Sequence, residues 1–444
     1  MQVLIGESFD GFVIAPKPAA HFGTGTVGQL PDLVRATGAD QVVVVTDAAL
    51  AVTPVIATVM AVLADAGLPA RLFSGVHPDP TTDDIAAGVQ AVADAAAGAA
   101  AADQAAAVAA TLRPTAPLAA PESAAASSVT SVVLAPSIPR IALVAVGGGS
   151  PIDVAKGIAV AAVNPQHGRD LDYRGDVAVP ALPIVAVPTA AGAGAEASAF
   201  GTVTDPAARR KFRVGHASAL PSAVILDPVL TVGLPPAVTA AAGLDALTHA
   251  LESYLSAHPN PWSDGIALQV ARMISASLPR ACADGTDLAA RSQMLLAAHM
   301  AGVAVASTGL GLCHAIGHSL CGRPGIAHGE ALAVLLPDVL RFNLPVRTER
   351  MAGFAFALGV GDTHADTWLN AEAAIGAITA LRDEVGLTRL LGDFGITEAD
   401  FAQIAADALD DEALASAPRQ PTGDDIAAIL LAAGGGRSLT SRRP

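Results

Sequence analysis

The sequence predicts an α/β N-terminal half followed by an all-α C-terminal half, and three observations carry that prediction. Up to about residue 235, short β-branched apolar runs alternate with helical patterns. Beyond Pro235 and Pro236 those runs disappear, and long Ala/Leu patterns with apolar residues at i, i+3 and i+4 continue towards the end. At 444 residues the chain exceeds what one core comfortably fills, so two domains are expected, 1–235 and 236–444.

The elements follow in order. QVVVV at 41–45 ends in Thr46 and Asp47, IALVAV at 141–146 ends in three glycines, and PIVAV at 183–187 ends in Pro188 and Thr189. Continuous apolar runs of this length suit strands buried on both faces of a parallel sheet, with helices at 54–66 and 151–163 as crossovers. Thr53 and Pro54 read as the N-cap and first position of the earlier helix. Between 91 and 140, 21 of the 50 residues are Ala, five are Pro and Lys is absent. The part up to about residue 111 can extend a surface helix, whereas PTAPLAAPESAAASSVTS cannot build a packed core and is expected to be a mobile loop. This gives an Ala/Pro-rich insertion at about 98–139, and GGGRSLTSRRP at the C-terminus is expected to fray.

Composition narrows the function classes. Hydrophobic residues make up 52% of the chain but aromatics only 3%, so the apolar fraction is mostly Ala, Val and Leu. The longest apolar stretch, Ala48 to Ala64, is short for a bilayer span, and no transmembrane segment is expected. MQVLIGESFD has no basic segment leading into an apolar one, so a cytoplasmic protein is expected. Cys282, Cys313 and Cys321 are too few for a disulfide scaffold, and Cys313 and Cys321 read better as small buried hydrophobes than as thiolate ligands. A net charge of −16 opposes phosphate backbones and argues against nucleic acid. An anionic ligand would need a local site built from backbone amides.

GGGSPIDVAK at 147–156 supplies such a site, because it follows an expected strand and opens an expected helix. Ser150 reads as the cap, Pro151 as the first helical position, and Asp153 completes a capping-box-like pattern, leaving amides that bind pyrophosphate. A purely structural strand-to-helix turn explains the glycines equally well, since this is not the GxGxxG fingerprint. The second constellation is Asp245 and His249, four apart in GLDALTHALESYL, with His314 and His318 repeating that spacing and His328 following a Gly/Pro turn. One such pair is ordinarily a surface hydrogen bond. Six of the 11 histidines (249, 258, 299, 314, 318 and 328) fall in one apolar 80-residue window, however, and burying them without partners would be costly. A divalent metal removes that cost.

Together the two patterns resemble the iron-containing, or group III, alcohol dehydrogenases. The similarity runs through VVVVTDAAL at 42–50, SGVHPDPT at 74–81, GGGSPIDVAK, VPTAAGAGAE at 187–196, RRKF at 209–212, ILDP at 225–228, GLDALTHALESY and HAIGHSLCGRPGIAHGEALAVLLPDVLRFN. The resemblance implies the dehydroquinate synthase-like fold of that family: an N-terminal dinucleotide-binding domain, a helical domain and one divalent metal in the cleft between them. It implies Asp245, His249, His314 and His328 as metal ligands, Fe2+ ahead of Zn2+. His318 is then left beside them without a metal bond, as a proton relay or as a structural histidine. Asp47 takes the place where an acidic residue favours NAD over NADP, by bonding ribose hydroxyls and repelling a 2′-phosphate. Gly148, Gly149 and Ser150 would hold the pyrophosphate, Asp153 of the same motif counts among the cofactor-binding residues, and Thr189, Lys211, Asp79 and Phe200 would contact the rest of the dinucleotide.

Three departures stand out. The family's PTTAGT reads PTAAGA here, so Ala190 and Ala193 remove two hydroxyls near the cofactor. Asp79 stands where many relatives carry Asn, and the Ala/Pro-rich insertion is atypical. The implied activity is NAD-dependent interconversion of a small-molecule alcohol and its aldehyde or ketone, by a homodimer, with the metal as Lewis acid. A maleylacetate reductase-like enzyme, a non-redox member of the superfold and a non-catalytic metal scaffold are the alternatives.

Overall fold

The computed structural model describes residues 14, 18–111, 140–164, 175–207, 210–321 and 326–436. PTAPLAAPESAAASSVTS and the last eight residues of the tail lie outside them.

A six-stranded, all-parallel sheet forms the N-terminal half, in the order β1-β8-β5-β4-β2-β3. Its strands are β1 (Ala19–Phe22), β2 (Gln41–Asp47), β3 (Ala70–Val76), β4 (Ile141–Gly147), β5 (Ile184–Pro188) and β8 (Ala223–Leu226). Helices α1 (Leu30–Ala36), α2 (Ala48–Ala51), α3 (Pro54–Asp65), α4 (Thr82–Thr111) and α5 (Gly149–Ala161) connect them. The valine run of β2 is apolar throughout because helices cover both faces of the sheet. Val42 and Val44 pack with Ile56, Val59 and Leu63 of α3, while Val43 and Val45 pack with Ile85 of α4 and Ile158 of α5. Thr53 and Pro54 open α3 as the sequence predicts, and α4 carries the Ala-rich segment on to Thr111. The winding order reverses between β2 and β4, which creates the crevice at the carboxyl ends of parallel strands where ligands bind.

A separate antiparallel hairpin, β6 (Phe200–Asp205) with β7 (Arg210–Gly215), is not among the elements expected from sequence. Its period-two pattern sends Val203 and Val214 into the core beneath α5. Register pairs Thr202 with Arg213 and Thr204 with Lys211, so these polar residues share the other face.

From Pro236 the described chain is helical: α6 (Pro236–Leu255), α7 (Pro261–Ala283), α8 (Leu288–Thr308), α9 (Leu312–Cys321), α10 (His328–Ala357), α11 (Thr367–Glu384), α12 (Glu398–Leu409) and α13 (Gly423–Ala433), with short 3-10 turns between. Helix α8 is long and apolar enough to cross a bilayer by composition. It lies mostly buried and contributes Met294, Ala297, Ala298 and Ala301 to the helical core, as a central helix of a bundle does. The halves meet closely where Gly194, at φ 60°, faces Gly302 of α8: a Cβ on Gly194 would lie 2.6 Å from the Ala298 carbonyl oxygen.

Candidate active-site cleft

A cleft of about 610 Å³ is lined by the start of α5, the β6–β7 hairpin, and residues of α6, α8, α9 and α10. Helix α6 supplies Asp245 and His249 from one face, and α9 brings His314 against them. The Asp245 Oδ1 atom lies 3.4 Å from His249 Nδ1, 3.7 Å from His314 Nε2 and 3.9 Å from His328 Nε2. Asp245, His249 and His314, all buried, each offer a ligand atom within 4.8 Å of the others. Asp245 Oδ1, His249 Nδ1 and His314 Nε2 have no hydrogen-bond partner. Buried polar atoms are rarely left so, and three around one point form the nitrogen and oxygen set that a divalent cation satisfies. His328 stands further out, 36% exposed on the cleft wall, as the first residue of α10.

Glu252, which the sequence reading does not single out, locks this geometry. It lies seven residues beyond Asp245 on α6 and accepts hydrogen bonds from the Gly311 and Cys313 amides at 2.7 Å and from His314 Nδ1 at 2.6 Å. A carboxylate bonded to the back of an imidazole fixes the ring and its tautomer, leaving Nε2 for a metal. Burial opposes the Glu252 charge, but His314 and the two amides outweigh it and hold its pKa below the usual glutamate value. Burial alone would lower the His314 pKa; Glu252 and Asp245 reverse this and raise it to about 9. Burial lowers His249 to about 4 and depresses His328 as well, so both are neutral. Asp245, although buried, is held well below the carboxylate range by the surrounding histidines.

Cys313 is buried, as the sequence predicts, and Cys321 is partly buried. Burial raises both thiols, Cys321 to about 11, and Cys321 Sγ rests 3.4 Å from His328 Nδ1. His318 lines the cleft, and its Nδ1 lies 2.8 Å from Asp411 Oδ2. Burial works to raise the Asp411 pKa, but the bond to His318 lowers it; an ionised carboxylate accepts from Nδ1–H and fixes the orientation of the ring. Asp411 is a second residue the sequence reading misses.

At the opposite end of the cleft, two expectations for the Gly-rich turn are corrected. Ser150 does not cap α5: the N-cap is Gly148, with no side-chain bond, and Ser150 Oγ donates to the Pro78 carbonyl at 2.8 Å. Asp153 makes no capping box. It accepts from the Thr202 amide at 3.0 Å and lies 3.5 Å from Lys156 Nζ, tying α5 to the hairpin. Helix α5 begins earlier than the motif suggests because Gly147 adopts φ 150°, where a Cβ would collide with the Pro151 ring at 2.5 Å. The first-turn amides of α5 therefore have no side-chain cap, which suits an anion. Lys156, fully buried, donates to the carbonyls of Ala195 and Phe200 and fastens the surrounding loops.

Asp79, Gly149, Ser150, Asp153, Phe200 and Lys211 line the same cleft as the histidines. Asp47, Gly148 and Thr189 do not. Asp47 ends β2 beside the switch point and caps α2 through the Leu50 amide at 2.8 Å. Thr189 is buried behind the turn, its amide bonded to the Gly147 carbonyl at 2.9 Å. Arg213, which the sequence reading does not name, also lines the cleft, its guanidinium 4.8 Å from the Phe200 ring centre.

The model of the iron-containing alcohol dehydrogenases matches residues 17–134 and 119–228, and that of the family's C-terminal domain matches 239–434. The chain belongs to the iron-containing alcohol dehydrogenase family. The two matched segments of the first model overlap at 119–134, within the Ala/Pro-rich stretch. The chain is 33% identical over 415 residues to an NAD-dependent methanol dehydrogenase of Bacillus methanolicus, covering 93% of this chain and 97% of that one. It is 43% identical over 291 residues to a 1,3-propanediol dehydrogenase of Klebsiella pneumoniae, covering 65% and 74%. Among solved structures, a 1,3-propanediol oxidoreductase superimposes with a TM-score of 0.80 at 32% identity, covering 96% of this chain and all of that one. An alcohol dehydrogenase from Oenococcus oeni gives 0.82 at 28% identity, covering the same shares. The α/β half and helical half are thus the family's architecture.

Proposed function

We propose that this protein is an NAD-dependent alcohol dehydrogenase that interconverts a small alcohol and its aldehyde or ketone at a single divalent metal. The observation that carries the reading is the convergence of three unpartnered buried atoms, Asp245 Oδ1, His249 Nδ1 and His314 Nε2, in the cleft that also holds the uncapped start of α5. Asp245, His249, His314 and His328 would hold the ion, Fe2+ ahead of Zn2+. Donor chemistry admits both, so occupancy follows metal supply. When bound, the metal supplies Lewis acidity to the substrate oxygen, and the nicotinamide exchanges hydride with the substrate carbon.

The chain's own residues do the rest. Glu252 keeps His314 pointed into the site. His318, oriented by Asp411, offers Nε2 to move a proton between the cleft and solvent. The α5 amides, with Gly148, Gly149 and Ser150, would take the dinucleotide phosphates. Asp47, at the carboxyl edge of β2, would bond the adenosine ribose and favour NAD over NADP. Asp79, Asp153, Thr189, Phe200 and Lys211 would complete the dinucleotide site. The chain would divide into its two domains at about 235 and work as a cytoplasmic homodimer.

The relatives named for methanol and 1,3-propanediol support short alcohols and diols as the substrate class. Anaerobic purification, metal analysis and an NADH-oxidation screen across short aldehydes, ketones and lactaldehyde test the reading. Full turnover by a metal-free preparation would instead favour a maleylacetate reductase-like enzyme.

A further inference from the structure

The loop between β3 and α4 is anchored from three sides. Asp84 Oδ2 accepts from the amides of His77 and Thr81 at 3.3 and 3.0 Å. Ser150 Oγ donates to the Pro78 carbonyl, and the Thr204 amide donates to the Pro80 carbonyl at 2.8 Å. These bonds hold Asp79 on the cleft wall, where its Oδ1 lies 2.8 Å from Lys211 Nζ. Lys211 is 18% exposed and Asp79 47%. The cation is therefore already engaged by a carboxylate, on a loop that Ser150 of the first turn of α5 holds through the Pro78 carbonyl.

An anchored loop does not need a charge at this position. Ser150, Thr204 and Asp84 hold its backbone, and a neutral amide could equally hydrogen-bond Lys211. The carboxylate has a different consequence. An incoming anion must share Lys211 with Asp79 and lie near a fixed negative charge, an arrangement that lowers affinity. Resting on the dinucleotide reading of this cleft, we propose that Asp79 is a release element for the cofactor: it competes with the anionic dinucleotide for Lys211, so that the dinucleotide binds more weakly and leaves faster. A pair more than a third exposed on one side is partly screened, so the effect is set by the local field and fades with salt.

The test compares the full-length protein with Asp79→Asn, which keeps the side-chain shape and removes the charge. Binding of NADH and ADP-ribose is measured by fluorescence titration and calorimetry, and NADH dissociation by stopped flow. The variant is expected to bind both ligands on the order of tenfold tighter, with slower dissociation and a gain that shrinks as salt is added. Adenosine, which carries no phosphate, should bind both proteins alike. Unchanged or weaker NADH binding by a folded Asp79→Asn protein would overturn the proposal and make Asp79 a positioning group for Lys211. Equal tightening of adenosine would also overturn it, because the cause would then be rearrangement rather than charge. If neither protein bound NADH or ADP-ribose, the dinucleotide reading itself would fall, and the proposal with it.

Discussion

Metal binding to this site should displace one proton, and the identity of that proton can be worked from the structure. With His249 near 4 and His328 depressed, both rings are already neutral at pH 7, and Asp245 is ionised. Only His314, raised to about 9, must lose a proton before its Nε2 can ligate. At pH 7 that costs a factor of about 100 in apparent affinity, or about 2.7 kcal/mol. Because the metal binds the deprotonated form, affinity should rise about tenfold per pH unit from about pH 6.5 to 8.5, and flatten once pH exceeds the raised pKa. Calorimetry of Zn2+ binding to the metal-free protein, in buffers of different ionisation enthalpy, reads the proton count directly. Chelator competition gives the slope. Glu252→Gln removes the charge that raises His314, so the variant should release less than one proton at pH 7.5 and show a shallower slope. Its affinity at high pH should fall about 10- to 100-fold through lost orientation of the ring. Affinity independent of pH, or release of two or more protons, would refute the reasoning.

Asp245→Ala should abolish metal binding and turnover while leaving circular dichroism nearly unchanged, because the three-ligand cluster loses its shared oxygen; retained metal would show that the ion is held elsewhere. Asp411→Asn should lower kcat about 10- to 100-fold with little change in the alcohol KM, and combined with His318→Ala should cost little beyond the single His318→Ala change, because the two side chains act as one unit. Additive losses would show that they act separately. Asp47→Gly should raise NADP use by an amount on the order of 1 to 3 kcal/mol. A wild-type protein already preferring NADP would place Asp47 outside the ribose site.

What could be read in advance depended on how local each cause is. The buried strands announced themselves because a sheet covered on both faces needs apolar residues at every position, as β2 and β4 show. Asp245 with His249, and His314 with His318, were legible because helical spacing puts such pairs on one face. Glu252 was legible by the same logic, three residues after His249, but a glutamate on a helix carries no mark of burial until its partners are known. Asp411 had no local signal at all, being 93 residues from His318. FGTVTD and RKFRVG do alternate, yet their polar positions hid two strands whose inner face rests on only Val203, Phe212 and Val214. The sequence SPID imitates a capping box, but the conformation of Gly147 starts the helix earlier and frees both polar side chains for other partners.

The charge balance of the buried cluster ties these residues together. Asp245 and Glu252 are two carboxylates in an apolar helical core, and in the metal-free protein the His314 imidazolium offsets only one of them. One negative charge is left over in a place where an unpaired charge costs several kcal/mol. Exchanging the His314 proton for a divalent cation adds one positive charge and cancels the remainder. Glu252 is therefore more than a clamp on a ring: it supplies the second negative charge that makes a doubly charged ion, rather than a proton, the species that neutralises this site.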